Sequence, residues 1–123
     1  MKKVLVIDDE ADIRSVLKFR LEKAGYHCLT AADGKEGLAV VAAEKPDFII
    51  LDLIMPVMDG VKVYRHLKMN PKTKHIPILA FTAQDADTVV AKGQPALDIV
   101  DLVLKPFDAE ALVKTVQRVL AVK

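Results

Sequence analysis

The chain has 123 residues, 52% of them hydrophobic and 28% charged, with 18 Lys and Arg against 17 Asp and Glu for a formal charge of +1. That length suits one domain with a real core, and the balanced charge gives no general electrostatic case for nucleic acid. The one cysteine, Cys28, excludes an internal disulfide and suits a reducing compartment; the start, MKKVLVI, is too short an apolar run for a signal peptide and no stretch reaches membrane-spanning length, so the expectation is a cytoplasmic domain.

VLVI at 4–7 is a continuous apolar run of the kind a strand covered on both faces needs. It runs into Asp8, Asp9 and Glu10, adjacent acids that repel one another by a few kcal/mol, on the order expected near a protein surface. Ile13, Val16, Leu17, Leu21 and Ala24 then recur at helical spacing, with Gly25 as the stop. HCLTA at 27–31 reads as a second strand. Asp33 with Glu36 three places on resembles a capping box and opens a helix carrying Leu38, Val41 and Ala42. DFIIL at 47–51 is a third buried strand that stops at Asp52. LIMPVMDG forms a loop in which Pro56 and Gly60 act as turn residues, before a helix with Val61, Tyr64 and Leu67 on one face. PILAF at 77–81 and DLVL at 101–104 are the fourth and fifth strands. Between 84 and 98 the periodicity is poor, and a short or movable fourth helix is expected there. Asp108 caps a last helix through Leu112, Val116, Val119 and Leu120.

Strand then helix, five times over, argues for an α/β fold: an open parallel sheet with helices on both faces and right-handed crossovers. Ligands on such sheets bind beyond the carboxyl ends of the strands, where the strand order reverses. Asp8 and Asp9 follow the first strand, Asp52 the third, Thr82 the fourth and Lys105 the fifth. In an order 2-1-3-4-5 these residues converge. Three carboxylates around one pocket make a hard oxygen site that suits Mg²⁺. Each residue alone has a plainer reading. Asp8 and Asp9 are good helix N-caps, Asp52 a strand breaker, Thr82 a common β-former, and Lys105 a solvated charge. The signal is their coincidence at one end of the sheet.

The pieces IDDE at 7–10, ILDLIMPVMDG at 50–60, FTA at 81–83 and LKPF at 104–107 together resemble the receiver domain of two-component response regulators, over residues 1–123. The resemblance implies a flavodoxin-like (βα)5 three-layer sandwich of strand order 2-1-3-4-5. It implies that Asp52 accepts a phosphoryl group from a sensor histidine kinase or histidine phosphotransfer protein. Asp8, Asp9, Asp52 and the Ile54 backbone carbonyl would hold Mg²⁺ (or Mn²⁺), and Lys105 and Thr82 would contact phosphoryl oxygens. A cis bond before Pro106 is common in the family. The output would pass through the fourth helix, the fifth strand and the last helix to a downstream effector domain or protein. No turnover enzyme, no direct nucleic acid binding and no membrane contact are implied. Oligomeric state is left open, with a phosphorylation-dependent dimer as one form, and so is whether the chain is a whole regulator or a part of a longer one.

Leu102 stands where the family usually carries Tyr or Phe, so the aromatic form of the switch is missing. The stretch before the fifth strand lacks the usual Gly-Ala pair, and the interval from Thr82 to Lys105 is one residue longer than the commonest spacing. Ile54 and Gln84 occupy positions that tune acyl-phosphate lifetime in the family, and an apolar Ile54 predicts slow self-dephosphorylation. Two other readings compete: a receiver-like binding module that works unphosphorylated, and an Asp-nucleophile Mg²⁺ phosphatase of the haloacid-dehalogenase kind, which the Ile two places after Asp52 disfavours. A nucleotide-binding flavodoxin-like protein lacks its Gly-rich phosphate loop here.

Overall fold

The computed structural model describes residues 1–53, 59–82 and 99–121, with backbone alone for Phe81 and Thr82. Five parallel strands, β1 (Lys3–Ile7), β2 (His27–Ala31), β3 (Phe48–Asp52), β4 (Ile78–Thr82) and β5 (Asp101–Leu104), form one open sheet of order β2-β1-β3-β4-β5. The described helices are α1 (Ala11–Lys23), α2 (Gly34–Glu44), α3 (Gly60–Met69) and α4 (Ala109–Ala121). The segment 84–98, where a fourth helix was expected, lies outside the described residues, so α4 is the helix read from the sequence as the last.

The apolar runs are continuous because the central strands are covered on both sides. Val4 and Val6 of β1, with Phe48 and Ile50 of β3, face α1 and α4 through Leu17, Leu21, Leu112 and Val116. Leu5 and Ile7, with Ile49 and Leu51, face α2 and α3 through Val41, Val63, Tyr64 and Leu67. Of the positions expected on the α1 stripe, Leu17 and Leu21 are buried and Ile13 half-buried, whereas Val16 is 46% exposed.

Local signals set the element ends. Gly25, at φ +101°, takes the left-handed turn after α1 that a Cβ would oppose. At α2, Asp33 Oδ1 accepts the Glu36 N–H at 2.8 Å, while Glu36 Oε1 accepts the N–H of Ala32 at 2.6 Å, one residue earlier than a standard capping box. Asp108 Oδ1 accepts the Glu110 N–H at 2.9 Å at the start of α4. The third and fourth strands are each placed one residue later than the apolar runs suggested, because Asp52 and Thr82 still pair in the ladder.

Candidate functional site

Backbone register assembles the site. Ile7 pairs with Leu51, Asp52 with Phe81, and Thr82 with Leu104. Asp8, Asp52, Thr82 and Lys105 are thereby brought to one rim of the sheet, at the carboxyl ends of four strands. The switch in strand order falls between β1 and β3, between Asp8 and Asp52.

Asp8 is fully buried. Its N–H donates to Ala31 O at 3.1 Å, its Oδ1 accepts the Glu10 N–H at 2.8 Å, and its carbonyl accepts from Arg14 Nη1 at 2.8 Å. Neither Asp8 nor Asp9 is the N-cap of α1. That position falls to Glu10, whose side chain makes no capping hydrogen bond. The plainer reading of the first acids as helix caps therefore does not describe them. Asp9 and Glu10 are exposed.

Lys105 ties the rim together. Its Nζ lies 3.0 Å from Asp8 Oδ2, 3.0 Å from Asp52 Oδ2 and 3.1 Å from Glu10 Oε1. The contacts to Asp52 and Glu10 are hydrogen bonds. The contact to Asp8 is an ion pair off the hydrogen-bonding direction, so the buried Oδ2 has no aligned donor. Burial works against the Lys105 charge, but Asp8, Asp52 and Glu10 together outweigh it and hold the ammonium above lysine's ordinary value. Burial pushes the Asp8 carboxyl up, partly offset by the Glu10 N–H and Lys105, with Asp9 adding to the rise. Breaking a buried ion pair typically costs about 3–5 kcal/mol, whereas a solvated one is worth roughly 0–1 kcal/mol. The Lys105 contact to Asp52 is of the first kind and the one to Glu10 approaches the second, while at Asp8 the cost of burial outweighs the attraction of Lys105.

The donor set fits a hard cation. Asp8, Asp9 and Glu10 each offer a carboxylate oxygen, and these lie within 4.8 Å of one another. All are oxygen donors, with no His or Cys in the group, and an oxygen of the buried Asp8 lacks an aligned hydrogen bond. Asp52 is not one of these three, but it shares the Lys105 ammonium with Asp8.

Gly60 is the first residue of α3 rather than a loop residue. A Cβ there would collide with Asp52 O and lie 2.5 Å from Leu53 Cα, so the helix start rests directly on the chain carrying Asp52. Asp59 caps α3 by accepting the Val61 N–H at 2.7 Å. The Lys105–Pro106 bond is cis. Leu102 pairs with Ala80 and packs half-buried against the core on the α2–α3 side. Ile54, Pro56 and Gln84 lie outside the described residues. Glu10 and Arg14 were not assigned roles from the sequence. Glu10 stood in the acidic triplet itself, and Arg14 one helical turn after it was the available signal.

The Response regulator receiver domain family model matches residues 4–117. The chain is 39% identical over 119 residues to the alkaline phosphatase synthesis transcriptional regulatory protein PhoP of Bacillus subtilis, covering 95% of this chain and 49% of PhoP. It is 37% identical over 123 residues to PilH of Pseudomonas aeruginosa, covering 98% and 99%. The crystal structure of the chemotaxis response regulator CheY4 of Vibrio cholerae superposes with a TM-score of 0.85 at 39% identity, covering 97% of this chain and 98% of CheY4. The chain thus spans about half the length of PhoP and nearly all of PilH. It belongs to the response regulator receiver domains of two-component systems, a family of signalling domains rather than turnover enzymes. Receiver domains bind Mg²⁺ through an acidic pocket and interact with histidine kinases and downstream effectors. No helix among the described residues is long and apolar enough to cross a membrane.

Proposed function

We propose that this domain accepts a phosphoryl group on Asp52 from the phosphohistidine of a sensor histidine kinase or histidine phosphotransfer protein. The observation that carries this reading is a buried Asp52 carboxylate held at the sheet rim by Lys105, beside an oxygen-only acidic group. Asp8, Asp9, Asp52 and the Ile54 carbonyl would hold Mg²⁺ or Mn²⁺, which when bound neutralises charge on the carboxylates and on phosphoryl oxygens.

Asp52 is the nucleophile. As its oxygen bonds to phosphorus, the phosphorus–nitrogen bond to the donor imidazole breaks, and the electron pair leaves with the imidazole, which takes a proton from solvent. Such a transfer needs positioning and charge stabilisation more than covalent help. Lys105 supplies a compact positive charge to a phosphoryl oxygen, and Thr82, whose backbone closes β4 on the same rim, offers its hydroxyl to another. The new charge would shift the population of an output surface that includes β5 and α4, only as far as phosphate favours one state over the other. Ile54 makes the acyl phosphate long-lived by shielding it from water. PhoP and PhoB are named as transcriptional regulators, which supports an effector domain or protein as the recipient of the signal.

A second reading, a module that binds without phosphorylation, rests on Leu102, half-buried where an aromatic switch residue is usual. Incubation with acetyl phosphate and Mg²⁺ followed by intact mass measurement separates the two. The parent gains the mass of one phosphoryl group and Asp52→Asn gains none. An unmodified parent would favour the second reading, and a modified Asp52→Asn would place the acceptor elsewhere. Steady turnover of a phosphate ester would favour the phosphatase reading.

A further inference from the structure

A lysine ammonium has three N–H donors, and Lys105 Nζ has three carboxylate oxygens within 3.1 Å, from Asp8, Asp52 and Glu10. A phosphoryl oxygen arriving at Lys105 therefore competes with carboxylates already gathered on the ammonium. These three carboxylates are not equally easy to displace. The Asp8 and Asp52 side chains are 0% and 3% exposed, so releasing either strands a carboxylate away from water, and Asp52 must stay in place to react. The Glu10 side chain is 57% exposed and, on release, moves into solvent. Glu10 also occupies the N-cap position of α1 without capping it, its carboxylate turned to Lys105 instead.

We infer that Glu10 is a latch on the phosphorylation site: it occupies the Lys105 donor that a phosphoryl oxygen takes, and its release accompanies phosphoryl binding. The inference rests on the phosphoacceptor reading above. It makes Glu10 a positioning residue that acts through Lys105 and slows the reaction of the resting domain. Because the oxygen of Glu10 also lies within 4.8 Å of those of Asp8 and Asp9, the opposing assignment is a metal ligand, and the two predict opposite signs.

The test measures the phosphorylation rate of the parent, Glu10→Ala and Asp12→Asn against acetyl phosphate concentration at several Mg²⁺ concentrations, with affinity for beryllofluoride, a phosphoryl mimic, measured alongside. Asp12→Asn removes one charge from the exposed first turn of the same helix. The latch predicts that Glu10→Ala lowers the KM for acetyl phosphate and tightens beryllofluoride binding by about three- to fivefold, the factor that release of one solvated ion pair corresponds to. Its Mg²⁺ requirement stays that of the parent, and Asp12→Asn behaves like the parent. An unchanged or raised KM in Glu10→Ala overturns the latch, as does a raised Mg²⁺ requirement, which would make Glu10 a metal ligand. An equal gain in Asp12→Asn also overturns it, since general charge would then be the cause. If the parent itself takes up no phosphoryl group, the phosphoacceptor reading fails and the latch falls with it. A parent that reacts while Glu10→Ala matches it sinks the latch alone.

Discussion

Gly60 opens α3 with its Cα pressed against the backbone of Asp52 and Leu53, and its N–H donates to Leu53 O at 3.1 Å. Its φ does not require glycine; the space does. An added methyl meets backbone, which cannot rotate aside as a flexible side chain can, so Gly60→Ala must shift the start of α3 or the end of β3. Overpacking of this kind costs about 1–3 kcal/mol. The displacement falls on the residue proposed to react, so the variant is expected to lose both stability, read as a lower denaturant midpoint, and phosphorylation rate by acetyl phosphate. Full retention of both would show that the contact is relaxed without cost. From the sequence, Gly60 reads equally well as turn punctuation, because glycine's role at a close approach depends on a partner eight residues earlier that only the fold brings near. Glu10 has the same difficulty: its neighbours in sequence are acids, and its cation lies 95 residues away.

At the scale of elements, the strands and helix starts were largely legible because their causes are local. Apolar runs gave β1 and β3, and Asp33 and Asp108 marked two helix starts through short hydrogen bonds to nearby N–H groups. The C-terminus of α2 was less so. Lys45 closes α2 at φ 50°, a left-handed conformation that a non-glycine residue adopts at a cost, with no glycine to announce the turn. Lys45→Gly removes the Cβ conflict but adds chain entropy to the unfolded state. The first effect is the larger at a left-handed cap, and the variant is expected to gain roughly 0.5–1 kcal/mol. The midpoint of urea unfolding checks it; a lower midpoint would mean that backbone entropy outweighs the relieved strain. Segment 84–98, with Gly93 and Pro95, gave no periodic signal, and Gln84, proposed to tune phosphate lifetime, falls within it.

Across the whole molecule, the near-zero net charge conceals a strong local imbalance. Asp8, Asp9, Glu10 and Asp52 gather beside Lys105 at one end of the sheet. The rim was legible because parallel strands make residues far apart in sequence end together, whereas the order of contacts on Lys105 depends on side-chain reach. The imbalance also sets a linked dependence on pH and divalent cation. Burial raises the Asp8 carboxyl, so the folded chain keeps that proton to higher pH than the unfolded chain, where the ordinary value is 3.8. As pH rises through the window from 3.8 up to the raised folded value, the unfolded state has released its proton first, and stability is lost. Asp8→Asn removes that term while an amide oxygen can still accept the Glu10 N–H. It is therefore expected to be more stable than the parent at neutral pH without divalent cation, with the advantage shrinking as pH falls through the window. Mg²⁺ should act in the opposite sense, binding the ionised site and stabilising the parent. At ten times its dissociation constant the gain is about 1.4 kcal/mol, a rise in Tm on the order of 5 °C. That increment should diminish as Asp8 is protonated, and Asp8→Asn should show little of it. The chain has no tryptophan, so thermal melts by circular dichroism, with and without Mg²⁺ across pH, supply the readout. Equal Mg²⁺ increments in parent and Asp8→Asn would mean that the cation stabilises the domain somewhere other than this rim.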